Sequence, residues 1–196
     1  MTAKIAGLRE QQKAATRAEL YQFGFELFLK QGFAETTIEQ IVEPLGIAKR
    51  TFFRYFATKE DLVFAWYEGK TAELVAELKG RPKKEKPLSA VCETLASLLK
   101  RYDAAPDMAF ALVRLLKTNP SLEGKSFEKQ TGREKALANA LIEREGADKL
   151  PMLKARIVVG VVMAAFSAAL DEWYASEGKA DLRPIVETAF SMARAP

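Results

Sequence analysis

Lys49, Arg50, Thr51, Phe53 and Arg54 crowd into one short stretch, KRTFFRYF over 49–56. Lysine and arginine donate to guanine O6 and N7 or to phosphate oxygens, and a threonine methyl can touch a thymine methyl. At helical spacing Phe52, Tyr55 and Phe56 fall on the opposite, core-facing side. The chemistry on offer is recognition of a nucleic acid rather than bond making. A basic amphipathic helix with a merely solvated face has the same composition, so the elements around it must decide.

Those elements point to DNA. Thr37 is placed to cap a helix, its hydroxyl accepting from a free first-turn amide. Ile38, Ile41, Val42 and Leu45 follow at helical spacing, and Gly46 suits the left-handed position that ends a helix. Ile47 turns inward and a second helix runs from about Ala48 to Tyr55. Helix, glycine turn and short helix make a helix-turn-helix, whose second helix lies in the major groove. Here the glycine turn and the polar face coincide, which puts DNA binding ahead of the solvated-face alternative.

Composition removes most enzymes. The 196 residues contain no histidine, so His-dependent triads, His general bases and most transition-metal sites are absent. Neither a Gly-rich phosphate loop nor a metal-ligand cluster stands out, so no catalytic residue, metal or cofactor is expected. Cys92 is the single cysteine; an intrachain disulfide is impossible, which fits a reducing cytoplasm, and its place on an apolar face reads as a buried structural thiol. The net charge is only +4, but residues 1–59 hold nine Lys or Arg against six Glu, so the basic excess sits with the helix-turn-helix. The N-terminus MTAKIAGLREQQK lacks the apolar core of a signal peptide, and no run reaches the roughly 20 apolar residues that span a bilayer. The expectation is a cytoplasmic protein with no membrane partner.

Periodicity gives an all-α chain in two parts, an N-terminal DNA-binding domain over 1–57 and a C-terminal helical domain over 58–196. Residues 1–8 read as an arm, followed by a helix from near Leu8 to Gln31 that Gly32 stops. Arg9, Lys13 and Arg17 fall four apart on it, a row that suits a phosphate backbone and equally a solvated face. One long connector helix is expected from Thr58 to Lys79, broken by GRPKKEKP over 80–87. Further helices are expected over 88–102, 108–117, 121–145, 152–177 and 182–194.

Residues 16–62 resemble the DNA-binding domain of the TetR family of bacterial transcriptional regulators. The resemblance is carried by Leu20, Leu27-Phe28, Gly32-Phe33, Thr36-Thr37, Ile41, Gly46-Ile47, Thr51-Phe52-Phe53, Tyr55-Phe56, Lys59-Glu60 and Leu62. It implies a phosphate contact for Lys59 and adds Thr36 and Thr37 to the candidate DNA-binding set. Three positions depart from the pattern. Ala48 replaces a frequent serine cap, Phe53 replaces the usual Tyr and so loses a hydroxyl, and Pro44 removes an amide donor late in the first short helix. More loosely, RTFFRYF (50–56), LVRLLKTNPSL (112–122), EKALANALIER (134–144) and DLRPIVETAF (181–190) are similar to a subgroup related to the mycofactocin-system regulator. That subgroup implies a buried pocket and, in some members, acyl-CoA-like effectors.

The C-terminal part supplies two more expectations. From Ile157 to Leu170 the only polar side chain is Ser167, so this helix must be buried on every side. Gly160, Ala164 and Ala168 form a small-residue row, and with Ile185, Ala189 and Phe190 of the last helix they are candidate residues of a homodimer's four-helix interface. Tyr102, Phe110, Arg114, Phe127, Gln130 and Phe166 are the candidate effector site, offering aromatic walls, an amide and one cation. The same aromatics also suit a plain core, with Arg114 at the surface. The reading is a ligand-responsive regulator, a repressor in the sense of that family, binding a palindromic double-stranded operator as a homodimer and released by a small, largely apolar effector. The alternative is a helix-turn-helix protein without an effector, controlled by oligomerisation or a protein partner.

Overall fold

The computed structural model describes residues 2–65 and 69–194, with side chains from residue 10 onward. Every regular element among them is helical, as periodicity predicts. The chain divides into two compact units, Met1–Glu68 and Gly69–Pro196, so the boundary falls eleven residues beyond the expected 57/58.

In the first unit α1 spans Thr2–Gln31, α2 Ile38–Val42, α3 Lys49–Tyr55 and α4 Lys59–Phe64. α1 is continuous from Thr2, where an arm was expected over 1–8. Its apolar stripe, Leu20, Phe25 and Phe28, is fully buried with Phe33, Ile41, Phe52, Phe56 and Leu62. α4 packs on α1 through Gly24: a Cβ there would meet Leu62 Cδ1 at 2.8 Å and Ile41 Cδ1 at 3.3 Å. That close approach explains why α4 belongs with the N-terminal unit.

α2 ends at Val42, three residues earlier than expected. Pro44 has no amide to extend the helical ladder. The turn is closed instead by Gly46 N donating to Glu43 O and Ile47 N to Val42 O, each at 3.0 Å, with Gly46 at φ +65°. The expected single connector over 58–79 is two helices, α4 and α5 (Lys70–Gly80), the latter preceded by Gly69 at φ +75°. Trp66 and Tyr67, assigned to that connector, lie outside the described residues.

The second unit continues with α6 (Pro87–Ala96), α7 (Leu99–Ala104), α8 (Pro106–Thr118), α9 (Glu123–Glu145), α10 (Met152–Ala175) and α11 (Leu182–Arg194). The expected helix over 88–102 is broken at Ser97-Leu98, where Ser97 Oγ donates to Thr94 O at 2.8 Å. α10 is central, packing on α11, α9, α6 and α8. Cys92 is buried, and burial pushes its thiol pKa up.

α10 is 24 residues long and holds an 18-residue window with a mean hydropathy of 1.8, which by length and composition alone could cross a bilayer, a test that the core helix of a soluble protein also passes. In the single chain it is not buried all round. Ala155, Val159, Val162, Met163, Phe166, Ala169 and Trp173 face the unit's core, whereas Leu153 (72% exposed), Ile157 (56%) and Val161 (42%) face out.

Candidate nucleic-acid interface

The helix-turn-helix is set by side-chain caps before any ligand is considered. Thr37 Oγ1 accepts from Gln40 N at 3.3 Å and Gln40 Oε1 accepts from Thr37 N at 2.9 Å, a reciprocal capping box. Gln31 at the end of α1 donates to Gln40 Oε1 at 2.9 Å, tying α1 to α2. α3 starts without a side-chain cap, as Ala48 dictates, and Thr51 N donates to Ala48 O at 2.7 Å.

On α3 the buried side is Phe52, with Phe56 just beyond the helix; Lys49, Arg50, Phe53 and Arg54 are exposed and Thr51 is half-buried. The cations are not equivalent. Lys49 pairs with Glu39 of α2, whose carboxylate pKa is held down first by that hydrogen bond. Arg54 stacks on Tyr55, with its guanidinium 5.1 Å from the ring centroid and Nη2 3.2 Å from the hydroxyl. Arg50 is exposed and makes no ion pair with another described residue.

On α1 Lys13 is exposed, while Arg17 is half-buried with its guanidinium 5.0 Å above the Phe56 ring. The side chain of Arg9 lies outside the described residues. Thr36 is buried and its hydroxyl donates to Gly32 O at 2.7 Å, so its side chain is engaged in the α1–α2 turn. Thr37 is exposed at the start of α2. The Lys59 ammonium turns inward, donating to Phe33 O at 2.6 Å and Thr36 O at 2.8 Å. The implied phosphate ligand is thus held by backbone carbonyls.

In the second unit the six candidate effector residues separate. Tyr102 and Phe166 are buried and meet at 6.4 Å, Phe110 is half-buried, and both Tyr102 (6.0 Å) and Phe110 (5.3 Å) lie edge-on to Trp173. Trp173 organises this cluster and was missed in the sequence; its Nε1 donates to Ala180 O at 3.1 Å. Arg114, Phe127 (73% exposed) and Gln130 lie on the surface, with Gln130 Nε2 3.4 Å from Glu134 Oε1. A separate cleft of about 260 Å³ is lined by Lys70, Glu73, Leu74, Glu77, Ser97 and Leu98, with Lys100 and Arg101 beside them.

Of the candidate interface residues, Ala164 and Ala168 are exposed and Gly160, Ile185 and Ala189 half-buried. A Cβ built on Gly160 would meet nothing within 4 Å. Phe190 is different: it is buried inside the unit, 6.3 Å from the Phe166 ring, because the amphipathic α11 turns it toward α10.

Comparison with known proteins adds to this geometry. Residues 16–66 match the description "Bacterial regulatory proteins, tetR family", and residues 85–196 match "MftR C-terminal domain". The chain is 34% identical over 176 residues to the HTH-type transcriptional regulator TcmR of Streptomyces glaucescens, covering 86% of this chain and 77% of that protein. Among solved structures it is similar to FadR of Thermus thermophilus in complex with lauroyl-CoA (TM-score 0.60, 20% identity, 92% of this chain and 98% of that one). FadR of Bacillus subtilis in complex with stearoyl-CoA is similar too (TM-score 0.60, 16% identity, 90% and 96%). At these identities the structural likeness shows the fold.

Proposed function

This chain belongs to the TetR family of bacterial transcriptional regulators, and from that premise we propose that it is a ligand-responsive repressor acting in the cytoplasm. It binds a palindromic operator as a homodimer, with two α3 helices entering successive major grooves roughly 34–36 Å apart. The observation that carries this reading is the exposed outer face of α3, where Arg50 stands free of ion pairs with described residues between two cations that have partners. A guanidinium left for solvent on a recognition helix is suited to bidentate contact with guanine.

The effector is elongated and largely apolar, of the acyl-CoA class. Support comes from two proteins of the same fold that hold lauroyl-CoA and stearoyl-CoA. It acts on the second unit, where the aromatic cluster around Trp173 offers apolar wall. It shifts DNA affinity only by as much as its own affinity differs between the free and DNA-bound conformers.

Selection of bound duplexes from a random pool, with and without lauroyl-CoA, tests the reading. A palindromic site whose binding is lost with the acyl-CoA is the expected result. Failure to enrich any sequence overturns operator recognition. Binding indifferent to acyl-CoAs of several chain lengths, with no rise in melting temperature, overturns the effector class; a ligand at about 100 times its Kd stabilises by roughly 2.7 kcal/mol.

A further inference from the structure

The turn between α1 and α2 is held by side-chain donors, one of its own and one brought from α4. Backbone acceptors withdrawn from water need partners. The buried Thr36 hydroxyl serves Gly32 O at 2.7 Å. Lys59, at the start of α4, serves three more: its Nζ lies 2.6 Å from Phe33 O, 2.8 Å from Thr36 O and 3.5 Å from Ala34 O, and Phe33 O also accepts from Thr36 N at 3.4 Å. It also sits 4.3 Å from the centroid of the Phe33 ring. An ammonium has three protons, and three carbonyls surround this one. Desolvation lowers the Lys59 pKa, with Glu60 and Glu35 opposing.

We propose that Lys59 is a positioning residue for DNA binding, fixing the α1–α2 turn rather than neutralising a phosphate. The peptide it grips, at Thr36 O, is the one that leads into Thr37, the N-cap of α2. Through the capping box, the grip sets the direction of α2 and hence of α3, which packs on it. The role rests on the DNA-binding reading above and concerns how that surface is assembled.

The test is a salt titration of Lys59→Met and wild type on a random-sequence duplex of about 30 base pairs, by fluorescence anisotropy. It is run at a temperature where circular dichroism shows both fully folded. The expected result is an affinity lower by about tenfold, on the scale of one charge-assisted hydrogen bond, with an unchanged slope of log K against log salt. A slope shallower by about 0.9 per subunit means a lost phosphate contact and overturns the proposal. Unchanged affinity in the folded variant reduces Lys59 to a stabilising residue and also overturns it. Should the variant not fold, ¹⁵N NMR of the lysine ammonium groups of the wild type decides. A Lys59 signal visible in the free protein and unmoved by the duplex supports positioning, and a ¹⁵N–³¹P coupling across a hydrogen bond refutes it. A wild type that binds no duplex sinks the DNA-binding reading, and this role with it.

Discussion

The carboxylate of Glu39 on α2 pairs with the ammonium of Lys49 on α3, bridging the two helices of the helix-turn-helix. Both side chains are about half exposed, so the pair adds little to stability. Its consequence lies in charge: Glu39 neutralises a cation that would otherwise face phosphate. Glu39→Gln should therefore raise affinity for every duplex alike and steepen the salt dependence by up to about 0.9 per subunit. Anisotropy titrations over a range of salt measure both; a variant with wild-type slope would show that Lys49 reaches phosphate despite the pair.

The same pair sets a pH dependence. Hydrogen bonding from Lys49 holds the folded-state pKa of Glu39 below its ordinary value of 4.5. A depressed carboxylate pKa contributes stability that is present above the unfolded value and lost as pH falls through the folded one. The wild type's lead in stability over Glu39→Gln should thus shrink in acid, below about pH 4.5. Urea unfolding of both proteins at pH 7 and pH 3 checks the sign.

Arg50→Ala should cost on the order of 1–3 kcal/mol of operator binding and relax base preference at one position per half-site. The side chain is exposed, so the fold should survive. Comparing the sites that variant and wild type select from a random pool reads the effect. An unchanged site would move base reading to Thr51, Phe53 or Arg54.

Arg144, the last residue of EKALANALIER (134–144), is a buried cation to which the sequence analysis gave no role. Its guanidinium donates to Pro82 O, to Glu85 O at 3.1 Å and to Glu145, while Lys83 donates back to Arg144 O. The loop after α5 is clasped to the end of α9. Arg144→Met leaves those acceptors without their donor and should cost roughly 1–3 kcal/mol. That corresponds to a melting temperature lower by about 2–4 °C per kcal/mol for a chain this size. Calorimetry showing no change would mean that water replaces the guanidinium.

The helices were legible where one physical signal dominated. α3, α10 and α11 were found within two residues because their apolar periodicity is bounded by turn residues. α2 came out shorter because Pro44 weighs more than the apolar Leu45 that prolongs the stripe. The break between α4 and α5 escaped because Gly69 looks like any tolerated helical glycine until its φ is known. Residue type showed which side chains could touch DNA, but not which were already occupied. That Lys49, Arg54 and Lys59 have partners depends on contacts across ten, one and more than twenty residues. Likewise Tyr102, Phe110 and Phe166 were named as aromatics, yet Trp173, the common neighbour of Tyr102 and Phe110, follows only from the register of α10 against α7 and α8.

The outer face of α10 yields the last prediction. Leu153, Ile157, Val161, Ala164 and Ala168 recur at steps of three and four along it, and all are exposed in the single chain. Met192 of α11, 73% exposed, is a further apolar side chain left to solvent. A contiguous apolar face of this kind marks an association surface, and the small Ala164 and Ala168 let a second helix come close. Because these side chains contribute nothing to the single unit's core, a charge can be placed there without disturbing the fold. Ile157→Glu and Ala164→Glu should each keep a wild-type far-UV spectrum yet sediment as monomers, since a carboxylate in a close helix contact is costly to desolvate. Operator affinity should fall steeply, because two half-sites are then bound independently instead of by one rigid pair. Sedimentation velocity of the two variants, with Lys154→Glu at the exposed but polar start of the helix as control, gives the answer. Two folded variants that remain dimers would place the interface on another face of the second unit.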